Sequence, residues 1–105
     1  MARQARFFLA DAPHLVRQSG HNGGTIALDG LDVQRWSDIV RDVAATHKVA
    51  VHGWGLAAGE YRLLVRPPVD HALSRMVQDL GRRYVAAFNG RHGRQGTLWA
   101  GRFQC

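Results

Sequence analysis

A chain of 105 residues, 46% apolar and 21% charged, has room for one globular domain spanning 1–105 and excludes both a second core and a disordered polymer. No run reaches the ~18 apolar residues of a membrane helix, residues 7–10 are too short for a secretory segment, and the lone Cys105 excludes an internal disulfide; a reduced, cytoplasmic protein is expected. The formal charge is +6, and 13 of the 14 cations are arginine, whose planar fork suits bidentate phosphate contact, with Lys48 the only lysine.

Residues 15–19, following Pro13, read as a first strand closed by the turn cluster Gly20-His21-Asn22-Gly23-Gly24. That cluster is either an ordinary turn or a backbone N–H cradle for phosphate, though it lacks the Lys-Ser/Thr of a P-loop. Asp29 and Asp32 offer N-caps to a helix over 31–46, because Val33, Trp36, Val40, Val43 and His47 fall on one helical stripe. Residues 49–56 and 61–66 are apolar runs around the small residues Ala57-Ala58-Gly59, with Pro67-Pro68 as a stop, and predict a β-hairpin. The second helix is marked by Leu73, Met76, Val77, Leu80, Tyr84, Ala87 and Phe88, which share an arc of about 120° at 100° per residue. It should end near Asn89-Gly90. Residues 91–96 then form a basic loop, and 98–103 a fourth strand.

Strand, helix, strand, strand, helix, strand is the split βαβ, ferredoxin-like order of an α+β fold: a four-stranded antiparallel sheet with two helices on one face. Within it the positive charge is concentrated late in the chain. Residues 1–52 carry +1 and residues 53–105 carry +5, and from Arg82 onward there are five arginines and no acid. Such a segregated basic segment points to a nucleic-acid partner, its alternative being a merely solvated arginine face. Arg82, Arg83, Arg91, Arg94 and Arg102 are the candidate phosphate contacts, and Trp99 between them is a candidate stacking platform for an unpaired base. Trp54 is open to either stacking or core packing. The six histidines are scattered without metal-ligand spacing, so no metal site is expected from them.

Several stretches resemble the REP-associated tyrosine transposases of the insertion-sequence 200-like, HUH-motif class. They are Leu73-Ser74-Arg75-Met76-Val77-Gln78, Gly81-Arg82-Arg83-Tyr84-Val85, Phe88-Asn89, Arg91-His92-Gly93-Arg94, Gly96-Thr97-Leu98-Trp99 and Gly101-Arg102-Phe103, with Arg6-Phe7, Pro13-His14 and Val51-His52 earlier. The resemblance is nearly colinear over the chain. It implies a ferredoxin-like domain that binds imperfect DNA hairpins and cuts one strand with a tyrosine, using a divalent metal held by paired histidines. It also implies that Arg3 and Arg6 belong to an N-terminal basic element at the hairpin's flank.

Two histidines at i and i+2 on a strand point to one face and can share an ion. At those positions this chain has Glu60 and Arg62, and a guanidinium has no lone pair to give a metal. An ion pair between Glu60 and Arg62 is expected instead, with no cofactor. The resemblance places the nucleophile on a helix after the fourth strand, which these 105 residues do not include. Tyr61 should point to the opposite sheet face, Tyr84 lies on the apolar stripe of the second helix, and Ser19 stands where the family has an arginine. The expected function is hairpin or single-stranded DNA binding without catalysis. A second reading is an interaction domain that dimerises through an uncovered edge near Leu98, Trp99 and Phe103. A third is a metal-dependent nuclease that uses Glu60.

Overall fold

The computed structural model describes residues 12–101 together with Phe103 and Gln104. It contains β1 (His14–Ser19), a 3-10 turn (His21–Gly23), α1 (Gly30–His47), β2 (Ala50–Leu56), β3 (Glu60–Arg66) and α2 (Asp70–His92). β3 lies at the centre of an antiparallel sheet ordered β1-β3-β2.

Period-2 alternation explains which sheet face is covered. Val16 and Gln18 of β1 and Tyr61, Leu63 and Val65 of β3 are buried, and their alternate neighbours Leu15, Arg17, Arg62, Leu64 and Arg66 are exposed. The buried face joins Trp36, Val40 and Val43 of α1 and Leu73, Met76, Val77, Leu80, Tyr84 and Phe88 of α2 in one core. Trp36 lies 5.2 Å from Tyr61 between ring centroids, which fastens α1 onto the middle strand. Tyr84 donates to the Ile26 carbonyl at 2.5 Å and ties α2 to the segment before α1.

The helix ends are set by local chemistry. Asp29 is the N-cap of α1 and accepts from the Asp32 amide at 3.2 Å, while the Asp32 carboxylate reaches back to the Leu28 amide at 2.9 Å. α2 runs past the expected Asn89-Gly90 stop to His92. Gly93, at φ 62°, adopts the left-handed cap there and its amide bonds to the Asn89 carbonyl. The added turn is held because Arg91 and His92 find partners on α1, an interaction between distant residues that no local signal announces.

The expected four-stranded sheet is corrected to three strands. Residues 98–101 and Gln104 do lie along β1, but only through isolated antiparallel bridges, Gly20 with Trp99 and Arg17 with Gln104. Between the bridges β1 advances three positions while the other segment advances five, so a continuous ladder cannot form. The Arg17 and Gln104 backbones exchange hydrogen bonds of 2.7 Å, Ala100 donates to Ser19 at 2.9 Å, and the Gln18 side chain fills part of the gap by donating to the Gly101 carbonyl at 3.0 Å.

Candidate nucleic-acid interface

Arg3, Arg6 and Arg102 lie outside the described residues. The other candidate arginines do not form one patch, because segregation along the sequence is not segregation in space. Arg82 and Arg91 are nine residues apart on α2, about 180° around the helix. Each candidate also has an internal partner. Arg82 donates to Asp79 at 3.0 Å, Arg83 to Asp42 at 3.5 Å, and Arg94 to the Asn89 side chain at 2.8 Å while its guanidinium sits 5.6 Å from the Phe88 ring centroid. Arg91 is the most engaged, with two bonds of 2.6 Å to Asp29 and one of 2.8 Å to the buried Asp32, which His92 also contacts at 2.9 Å.

Trp99 is half-buried. Its ring stands edge-on to Tyr61 at 5.5 Å and lies 6.2 Å from Tyr84, leaving part of it to line a cleft shared with Arg82. Trp54 packs edge-on against Trp36 at 5.1 Å while remaining substantially exposed. The glycine cluster is an ordinary turn: the Gly20 amide donates to Gly59, His21 to Leu98, Gly23 to Gly20 and Gly24 to His21, so these N–H groups already have acceptors.

The open sheet face carries the arrangement that the sequence indicated only in part. Arg62 Nε donates to Glu60 Oε2 at 2.8 Å, the expected ion pair on β3. Arg17 sits directly across the strand from Arg62, and its Nε lies 4.0 Å from the same carboxylate. Like charges directly opposed on a sheet repel. One carboxylate bridging two guanidiniums therefore leaves a surplus positive charge, to which Arg66 adds at the end of the strand. Arg62 above all, followed by burial working in the opposite direction, sets the Glu60 carboxyl below its ordinary pKa, so Glu60 stays ionised at neutral pH. Beside the arginines, Leu15 and Leu64 form a cross-strand pair that is 53% and 40% exposed. Arg17 also donates to the Gln104 side chain at 2.7 Å. Arg17 and Arg66 were recoverable from the alternation of their strands, since each shares a face with the Glu60–Arg62 pair.

This site does not fit the divalent metal that the resemblance implies. Among the described residues Glu60 is its only anionic donor, it is already engaged by Arg62 and Ser19, and the flanking guanidiniums would repel a cation. Among the described residues no three His, Cys, Asp or Glu side chains cluster as ligands. Neither tyrosine of these 105 residues presents a free hydroxyl. Tyr61 donates to Gln18 at 2.6 Å and Tyr84 to Ile26, and burial pushes both phenols above their ordinary pKa.

No protein-family profile and no curated protein matches the sequence. Among solved structures, the chain superposes on a REP-associated tyrosine transposase bound to a REP hairpin with a TM-score of 0.78 at 13% identity, over 99% of this chain. This chain spans 60% of that one's length. It also superposes on a candidate transposase from Deinococcus radiodurans R1 with a TM-score of 0.72 at 14% identity, covering 98% of this chain and 83% of the other. The shared property is the fold, which supports the sequence resemblance at that level.

Proposed function

We propose that this domain binds hairpin or single-stranded DNA on the open face of its sheet and does not cut it. The observation that carries the reading is the surplus of guanidinium on that face, with Arg17, Arg62 and Arg66 set, among the described residues, against Glu60, in a fold shared with a hairpin-bound transposase. Guanidiniums held on neighbouring strands grip phosphates without reading bases, and the exposed Leu15–Leu64 pair offers apolar contact to sugar or base.

Loss of cleavage follows from the same residues. Arg62 supplies fixed positive charge where a metal would polarise the phosphate, so a phosphate is held without metal activation. Tyr61 faces the core and Tyr84 is bonded to a main-chain carbonyl, so neither approaches a phosphate on the open face.

The test is binding of a palindromic hairpin with a single-stranded flank, compared with a scrambled strand, across a salt series. The expected result is affinity that falls steeply with salt, and weak, salt-independent binding overturns the reading. In the same assay a labelled hairpin with magnesium should stay intact. Cleavage that disappears in Glu60→Ala would revive the nuclease reading.

A further inference from the structure

We propose that the cleft between α2 and the 98–104 segment receives one unpaired nucleobase of a strand bound on the sheet face; this rests on the DNA-binding reading above. The cleft has a volume of about 430 Å³ and is lined by Gln18, Ser74, Val77, Gly81, Trp99 and Phe103 among others. That is within the roughly 300–1,000 Å³ typical of small-molecule sites. It lies beside the place where the pairing with β1 is interrupted, between the Gly20–Trp99 and Arg17–Gln104 bridges.

Three features select a base over other occupants. The first is a flat aromatic wall, Trp99, backed by Tyr61 and Tyr84 so that it is held in place. The wall stands close to α2 only because residue 81 is glycine: a Cβ there would meet Trp99 Nε1 at 3.1 Å. Base stacking on such a ring is tolerant of sequence.

The second feature is the Gln18 side chain, 8% exposed. Tyr61 donates to its Oε1 at 2.6 Å and its Nε2 donates to Gly101 at 3.0 Å, which fixes which end of the amide is which. Gln18 lines the cleft, and a primary amide keeps a second hydrogen and a second acceptor position beyond these two bonds, the donor and acceptor types that recognise a base edge. Among the described residues that line the cleft, Arg82 is the one charged side chain, itself paired to Asp79 and exposed, so these walls suit a neutral ring better than a phosphate.

The third feature is continuity with the charged face. A hollow of about 140 Å³ between β1 and 98–104 shares Gln18 and Gly101 with the cleft, and shares Arg17 and Gln104 with a hollow of about 210 Å³ bounded by Leu15 and Arg62. These shared residues trace a path round the edge of β1, from the Arg17–Arg62 pair to Trp99. A strand with its phosphates on the arginines can follow that path and place one base in the cleft.

The experiment uses a hairpin with a single-stranded flank, in which 2-aminopurine is placed at each flank position in turn and, separately, an abasic site. Wild-type protein should quench 2-aminopurine at a single position, and an abasic site there should weaken binding roughly tenfold. Trp99→Leu should abolish both effects. Ser74→Phe plugs the cleft while leaving the Trp99 contacts with Tyr61 and Tyr84 in place, so it should do the same in a protein whose thermal unfolding is unchanged. Arg17→Ala should weaken every oligonucleotide alike and leave quenching at saturation intact. Steeply salt-dependent binding with no preferred position, or unaltered position dependence in Ser74→Phe, overturns the base site and leaves DNA binding standing. Absence of salt-dependent binding overturns both.

Discussion

Removing the carboxylate of Asp32 tests whether the basic C-terminal stretch is there to hold the fold or to contact phosphate. Asp32 is 1% exposed and accepts from the Leu28 amide at 2.9 Å, from Arg91 at 2.8 Å and from His92 at 2.9 Å. Asp32→Ala leaves the Leu28 N–H without its acceptor, a loss of about 1–3 kcal/mol, and deletes charge-assisted bonds worth about 1.5–3 kcal/mol. Arg91 keeps Asp29, which limits the damage, and the combined effect should be about 3 kcal/mol. For a domain of this size that lowers Tm by roughly 15 °C. Urea unfolding followed by tryptophan fluorescence measures it. A loss below ~1 kcal/mol would refute the view that the α1–α2 ion network holds the last turn of α2. As a companion, Arg91→Gln should leave the salt slope of DNA binding unchanged; a slope reduced by nearly one would show Arg91 on a phosphate after all.

Burial raises the Asp32 carboxyl, but the Leu28 amide, Arg91 and His92 outweigh it and set the folded pKa below the ordinary value, so its contribution to stability is present above about pH 4 and is lost as pH falls further; acid titration of urea midpoints should show this and Asp32→Ala should flatten it. Tyr84→Phe leaves the buried Ile26 carbonyl without its donor and should cost about 1–2 kcal/mol by the same unfolding assay. Gly93→Ala forces a side chain into the left-handed cap of α2 and should cost about 1 kcal/mol. Glu60→Gln frees Arg17 and Arg62 from their shared carboxylate and should tighten hairpin binding several-fold at low salt, read by fluorescence anisotropy.

What could be read in the sequence was what depends on neighbours along the chain. The stripe through Trp36, Val40 and Val43 and the longer one from Leu73 to Phe88 placed both helices, and alternation across 61–66 placed Tyr61 in the core and Arg62 outside. The α+β class followed from the same periodicities, and the Glu60–Arg62 pair from the positions that the resemblance singles out on one strand face. What the sequence does not show depends on distant partners. Leu98, Trp99 and Phe103 look like a strand, yet pairing needs matched spacing along β1, and the two extra residues between the bridges show only once both segments are placed side by side. Arg82, Arg83, Arg91 and Arg94 read as one basic segment, while α2 disperses them and sets acids from α1 against Arg83 and Arg91. Alternation along β1 puts Arg17 on the outer face, but that it stands directly opposite Arg62 depends on the strand register.

The most direct test of DNA binding on the open sheet face is the salt dependence of hairpin affinity in wild type and in the double variant Arg17→Ala/Arg62→Ala. Each phosphate contact on a single strand contributes about 0.7 to the slope of log affinity against log salt. The double variant should therefore lose affinity at low salt and show a slope shallower by about 1.4, with thermal unfolding unchanged. An identical slope and affinity in the two proteins would contradict the account and move the phosphate contacts away from the sheet.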